Sequence, residues 1–414
     1  MRQRRKRKST VKRSLAVKAP RGSHQVAHRV ARALDDALEN LSITAFAGEH
    51  LVEWVASQTP GPLREEGVWH LEPLAHHAIN PTTAHLLRVR WSGQKARLGM
   101  VVKVVKRPGP GFDENDWNYW AREFFAYKSG FLNGLPVGVR GPTVIGLLRP
   151  ASSTAVMALG EVTDFKRRVW TVADYAKAAH HLGRLNAAYA RHAKGTARPW
   201  LARHALERLA KAFSANVTAL EDDALWSQRP FQDGFSKGFR ASVMALTQEL
   251  PAMTSALRQL PACVAHLDAG RGNLFAHPDA ITLIDWQMVG TGALGEELVA
   301  LVCGALVWSL DWPPSRALGL QSRVVDGYVR GLRSEGWKGS PQDVLQGYAT
   351  SLRVRMCHAL PYLMTLRSTA AHRRSWQHLF HATSKQKVQR WVRGIESVFV
   401  QTEDAALKGL LASL

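Results

Sequence analysis

Val264-Ala265-His266-Leu267-Asp268-Ala269-Gly270-Arg271-Gly272-Asn273-Leu274-Phe275, followed by Asp279 and by Ile281-Thr282-Leu283-Ile284-Asp285-Trp286, is the stretch from which the rest of the chain can be read. Asp268 stands five positions before Asn273, and Asp285 stands twelve after it. Gly270 and Gly272 predict a tight bend between the first acid and the amide. Ile281 to Ile284 is short, β-branched and apolar, which predicts a buried strand that delivers Asp285 at its end. A loop carrying an acid and an amide, then a strand carrying a second acid, is a donor set suited to phosphoryl transfer from a nucleotide. One carboxylate takes a hydroxyl proton; the amide oxygen and the other carboxylate hold magnesium on the phosphates. A zinc-hydrolase reading of His266 and Asp268 lacks a further His at helical ligand spacing.

This segment resembles the catalytic and metal loops of the aminoglycoside phosphotransferase family, within the wider group that includes choline kinases. His266, Asp268, Asn273 and Ile284-Asp285-Trp286 match its His-x-Asp-x-x-x-x-Asn and Ile-Asp-Trp pattern. Gly290 to Leu301 resembles the segment that follows, with Glu297 where the family usually carries Asp. The resemblance implies an α+β, protein-kinase-like bilobal fold, with a small antiparallel-sheet N-lobe and a large, mostly helical C-lobe. It implies ATP and Mg2+ as cofactors and a small-molecule hydroxyl as acceptor. In it Asp268 is the catalytic base, His266 braces the loop, and Asn273 and Asp285 bind the metal.

Upstream, Leu86 to Trp91 and Leu98 to Val105 alternate as a strand pair. The second strand presents Lys103 within an apolar run, where a lysine needs a reason to be. The resemblance calls for a phosphate-contacting lysine on this strand, and the apolar run favours Lys103 over Lys106 for it. The resemblance makes Glu123, in the Arg122-Glu123-Phe124-Phe125 stretch of a helix expected over residues 118–131, its carboxylate partner. Leu74 to Ala84 holds no glycine, so Thr82 and Thr83 stand as phosphate donors of a polar turn, with a plain hairpin turn as the alternative. Thr143 to Leu148 and Ser153 to Leu159 read as strands, after which Ala158-Leu159-Gly160-Glu161 falls where the resemblance expects an adenine-contacting hinge, with Glu161 assigned to the nucleotide. Val172 to Ala190 carries Tyr175, Ala179, Leu182, Leu185 and Tyr189 at helical spacing and contains Leu182-Gly183-Arg184-Leu185-Asn186 where the family usually has Leu-x-x-Leu-His. Helices are also expected over residues 26–41, 50–57, 201–220, 297–310, 322–333, 341–366 and 384–414. The resulting division is a basic tail (1–25), a nucleotide-binding lobe (26–160) and a helical lobe (161–414).

The 414 residues carry a net charge of +22. Residues 1–21 hold ten Lys or Arg and no acid, which leaves +12 on the remainder. A solvated, disordered tail is the expectation; nucleic-acid contact is confined to that tail and, without interleaved aromatics, is weak and sequence-blind. Cys263, Cys303 and Cys357 lie in apolar surroundings, which predicts buried free thiols and, with no secretory signal, a cytoplasmic protein. No apolar run has the length of a membrane span. The competing class is a catalytically silent kinase-like binding module tethered by the basic tail; the presence of both acids and the amide favours the enzyme. Glu221-Asp222-Asp223 is the one dense acidic cluster, too little for a polycationic acceptor, so a neutral or anionic hydroxyl substrate is expected.

Overall fold

The computed structural model describes residues 15–18, 67–74, 81–93, 97–110, 112–114, 116–164, 170–190, 198–212, 214–308, 312–368 and 385–400. The expected helices at 26–41 and 50–57, and the basic cluster of His372, Arg373, Arg374 and His378, lie outside these residues.

The chain divides into two compact units, residues 1–108 with 142–161, and residues 109–141 with 162–414. The first is an antiparallel sheet. Strands β1 (Leu15–Lys18), β2 (Gly67–Pro73), β3 (Thr83–Gly93), β4 (Arg97–Lys106), β6 (Val144–Ala151) and β7 (Thr154–Gly160) pair in the order β1-β2-β3-β4-β7-β6. β4 and β7 are central, and their apolar residues Met100, Val102, Val104, Val156 and Met157 are almost wholly buried. Lys103 sits opposite Leu86 on one side and Met157 on the other. The strands expected around Leu86 to Val105 and Thr143 to Leu159 are thus in place. The tail differs: Leu15–Lys18 adds an antiparallel edge to β2, Leu15 opposite Leu71. Leu15-Ala16-Val17 is a short apolar break in the cationic run, enough for a strand to form.

The second unit is mostly helical, and the fold class is α+β, as expected. Its helices are α1 (Arg122–Lys128), α2 (Val172–Ala190), α3 (Ala205–Ala212), α4 (Ser214–Thr218), α5 (Asp223–Trp226), α6 (Arg229–Gln232), α7 (Phe239–Leu257), α8 (Leu298–Cys303), α9 (Ala317–Ser334), α10 (Pro341–Ser368) and α11 (Lys385–Val400). Two small sheets serve the site: β5 (Val139–Arg140), β10 (Ile281–Leu283) and β9 (Leu274–Ala276) in that order, and β8 (Ala262–Ala265) with β11 (Gly290–Ala293). The stripe of α2 is buried throughout; fully burying a residue such as Leu182 is worth about 2 kcal/mol. All three cysteines are free and buried.

Two differences have clear causes. Residues 109–141, read as part of the sheet-bearing lobe, cluster with the helical unit. Arg122 explains this, because its guanidinium donates to the carbonyls of Trp200 (2.9 Å) and Gln287 (2.7 Å) in that unit. It also takes the carbonyls of Asp116 and Trp117, so the chain before Arg122 turns instead of continuing as helix. The helix expected over residues 201–220 begins only at Ala205, after His204 at φ 51°, and gives way to a 3-10 turn at Ala219–Glu221. Asp222 ends the run by accepting from the Ala224 N–H (2.9 Å), capping α5.

Candidate active site

β8 leads into the loop His266–Asn273, and β9 and β10 form the hairpin that follows, with Ile281 opposite Ala276 and Leu283 opposite Leu274. The Asn273 carbonyl accepts from the Ile284 N–H (3.0 Å), so the end of the loop and the end of β10 are tied together. That tie places the acid-amide loop beside Asp285. The Asn273 amide donates to the Asp268 carboxylate (2.9 Å) and to the Asp268 carbonyl (3.0 Å). Its nitrogen being engaged, Asn273 has its oxygen left to face a cation. Burial, and then the charge of Asp285, push the Asp268 carboxyl up to about 7. Asp268, Asn273 and Asp285 therefore do come together.

The bend is made differently from the sequence expectation. Neither Gly270 nor Gly272 has a positive φ; Leu267 (64°) and Asp285 (59°) do. A left-handed non-glycine residue costs on the order of 1–2 kcal/mol and persists only where its surroundings enforce it. Leu267 is held from both sides. Its N–H donates to Glu297 (3.1 Å) and its carbonyl accepts from Arg355 (2.8 Å). Glu297 also accepts from the His266 N–H (2.6 Å). Gly270 serves close approach instead, since a Cβ there would lie 3.3 Å from the Ala300 carbonyl.

His266 is wholly buried, with Nε2 3.0 Å from the Ile284 carbonyl and its ring edge-on to Trp286. It braces the loop. Glu297, where an Asp was expected, does the clamping with its extra methylene. Burial raises its carboxyl to about 7, opposed by its backbone bonds to Leu267 and His266. Asn186 on α2 donates to the Val264 carbonyl (3.2 Å) and accepts from the Tyr328 hydroxyl (2.6 Å). The residue standing where a His was expected thus anchors β8.

Three contributors were not singled out by the sequence reading. Arg355, on α10, has no local motif around it. Arg271 pairs with Asp164 (2.5 Å) and lies over Trp170 (4.4 Å). Asp164 also accepts from the Ala276 N–H (3.1 Å), fastening the loop to the start of the helical unit.

In the same unit Glu123 is buried and accepts from the Tyr127 hydroxyl (3.0 Å). The Tyr127 hydroxyl is raised by burial, by Glu123 and by the charge of Asp285, so α1 brings its carboxylate near Asp285. In the sheet unit Lys103 is buried within β4 and Lys106 is exposed at its end. Thr82 and Thr83 are buried at the start of β3; Thr83 pairs with Val105, and the Thr82 carbonyl accepts from the Lys106 N–H (2.8 Å). Residues 75–80 of that turn are outside the described residues. The Glu161 carboxylate is bound by Arg88 (2.9 Å) and Arg90 (2.6 Å), and its N–H donates to the Gly99 carbonyl (3.0 Å). A purine contact from Glu161 would therefore fall to its carbonyl.

The sequence model of the phosphotransferase enzyme family (APH) matches residues 131–337, half of the chain. The chain belongs to the phosphotransferase enzyme family. The match contains the whole acid-amide loop and the β9–β10 hairpin, and it leaves Lys103, Glu123 and Arg355 outside. A search of curated proteins finds no sequence match. Among solved structures, this phosphotransferase is similar to the amicoumacin kinase hAmiN in complex with AMP-PNP, Ca2+ and Ami, at 13% identity over 84% of this chain and 95% of that one, TM-score 0.48. An aminoglycoside phosphotransferase from Alicyclobacillus acidocaldarius matches at 13% identity over 79% and 91%, TM-score 0.45. A choline kinase from Cryptosporidium parvum matches at 11% over 83% and 91%, TM-score 0.46. None of the three is similar enough to transfer a residue role or a substrate. No helix among the described residues is long and apolar enough to cross a membrane.

Proposed function

We propose that this phosphotransferase is an ATP- and Mg2+-dependent kinase that moves the γ-phosphate to a hydroxyl of a small molecule. One observation carries the reading. Asp268 is bonded to the Asn273 amide at 2.9 Å and feels the charge of Asp285, inside the segment that the family matches. In this reading Asp268 accepts the hydroxyl proton as the substrate oxygen bonds to the γ-phosphorus, and the bond to the β-phosphate oxygen breaks to release ADP. Glu297, His266 and Arg355 hold the base in place.

The donor set fits magnesium. Asp285 and the Asn273 oxygen are hard ligands, and a magnesium ion needs only one or two protein groups when phosphates and water complete its shell. Bound there, the ion would neutralise phosphate charge. Lys103 and Glu123 are assigned to positioning the nucleotide phosphates, and the Glu161 carbonyl to the adenine edge. Thr82 and Thr83, buried at the start of β3, are assigned to the polar turn facing the phosphates.

The acceptor is read as neutral or anionic. The acidic run Glu221-Asp222-Asp223 is engaged: Asp222 caps α5 and Asp223 pairs with Arg240 at 2.5 Å. The test is ADP release from MgATP with a panel of hydroxyl-bearing metabolites and antibiotics, products identified by mass spectrometry. Asp268→Asn should lower kcat by about a thousandfold or more, within the range of general-base catalysis, with the thermal transition retained. Turnover within tenfold of wild type would remove Asp268 from the chemistry, and loss of kcat/KM for polycationic acceptors alone as salt rises would reverse the substrate order.

A further inference from the structure

α2 and α9 cross with their backbones in contact. A Cβ on Gly327 would lie 2.3 Å from the Ala176 carbonyl, one on Gly331 2.0 Å from that of His180, and one on Gly183 2.2 Å from that of Tyr328. Three glycines thus let the helices meet where side chains would separate them, and the crossing is close-packed on both sides. At its edge opens a cavity of about 730 Å³, a volume suited to a small-molecule ligand. Lys177, His180 and His181 from α2, and Arg323 and Arg330 from α9, line it, with Asp279 of the β9–β10 turn as the one lining acid.

The cations are only lightly compensated. Lys177 lies 3.6 Å from Asp279, whose side chain is fully exposed, and Arg330 pairs with Asp326 at 2.9 Å one turn away. Exposed pairs of this kind contribute little. Arg323 has no acidic partner among the described residues. His181 is 5% exposed and its Nδ1 has no hydrogen-bond partner among them. The ring fits because Gly138, at φ 85°, has no Cβ; one there would lie 2.7 Å from Cε1. Burial, then His180, Arg184 and Lys177, push the His181 imidazole down to about 4, and burial with Arg184 and Arg330 also lowers His180. Beyond burial, neighbouring cations lower both rings, opposed only by Asp279 at His181 and by the Gly327 backbone and Glu335 at His180.

We propose that this cavity between α2 and α9 is a second binding site, one that takes a small molecule bearing a phosphate dianion. Arg323 and Arg330 offer planar forks that match phosphate oxygens, and Lys177 supplies a third charge. The glycine-locked crossing fixes the backbone positions from which all three side chains extend. The site stands at the end of β10 opposite Asp285 and does not depend on the kinase reading.

The experiment is calorimetric and thermal-shift titration of the full chain with inorganic pyrophosphate, in EDTA without nucleotide, against sodium chloride matched for ionic strength. Wild type and Lys103→Ala should show saturable binding. The double variant Arg323→Gln/Arg330→Gln should bind at least tenfold more weakly; both arginines are exposed, and circular dichroism would verify that the variant is folded. No response beyond the salt control overturns the site. Unchanged affinity in the double variant, or binding lost in Lys103→Ala and kept in the double variant, places the anion elsewhere and also overturns it.

Discussion

The loop at Asp268 and the cavity between α2 and α9 belong to the same unit and show the same physics with opposite sign. In the loop, burial gathers Asp268, Asp285, Glu296 and Glu297 near Arg355, and the carboxyls of Asp268 and Glu297 rise to about 7. In the cavity, burial gathers cations around one acid, and His181 falls to about 4. Each region keeps like charges together, and each therefore suits a ligand of opposite charge. What holds them differs. The loop is kept in a left-handed turn by a few buried hydrogen bonds, so one lost partner undoes it. The helices are held by glycine contacts spread over several turns, so their polar residues can be exchanged with the frame intact. Strain collected at the loop and a rigid, ordinary backbone at the cavity fit a site of chemistry and a site of binding respectively.

The sharpest way to break this contrast is at Glu297. Glu297→Ala leaves the N–H groups of His266 and Leu267 without an acceptor in a buried setting, and it should cost about 3 kcal/mol, read from urea unfolding. Glu297→Asp should fall between the two, its carboxylate one methylene short. A loss below about 1 kcal/mol in the alanine variant would mean that the loop is not clamped as described.

Protonation supplies the next test. The folded-state value for Glu297, about 7, is above its ordinary 4.5, so its contribution is present below pH 4.5 and is lost as pH rises through 7. The folded-state value for His181, about 4, is below its ordinary 6.5, so its contribution is present above pH 6.5 and is lost as pH falls through 4. The stability deficit of Glu297→Gln should therefore shrink as pH rises through its window, and that of His181→Phe should shrink as pH falls through its own. Each slope is at most about 1.4 kcal/mol per pH unit. Unfolding midpoints measured across both windows decide it; deficits that stay constant with pH would show that the two environments are not opposed.

The smallest effect is expected at the N-terminus. Removing residues 1–14, which stop short of β1, should leave kcat within about twofold of wild type, because a cation-rich stretch with few apolar residues adds little to a core. A large loss in the truncated protein, measured by ADP release, would tie the tail to the site.

Much of the loop was legible because its chemistry is local. Asp268, Asn273 and Asp285 are separated by short spans, and the β-branched run of Ile281 to Leu283 specifies its own strand. The buried stripe of α2 was legible for the same reason, since a period of 3.6 is written in consecutive residues. The helix expected over residues 201–220 starts late, because His204 takes a left-handed φ of 51°, and the cap of α5 by Asp222 stops it from running on past the 3-10 turn, local choices that periodicity does not register.

From its sequence alone this protein declares a phosphotransferase loop, an α+β fold, and a lysine in the middle of a strand. The loop and the lysine-bearing strand pair each rest on residues within about twenty positions of one another, where chain connectivity does most of the positioning, and the fold class follows from the resemblance that the loop carries. Tertiary structure alone decided that Glu297 clamps the loop, that Asn186 reaches Val264 across 78 positions, and that Arg355 reaches Leu267 across 88. It alone put the bend at Leu267 rather than at a glycine, and set Arg323 and Arg330 beside Lys177. Such meetings depend on how whole helices pack, and packing is the sum of many weak contacts that no short stretch of residues contains.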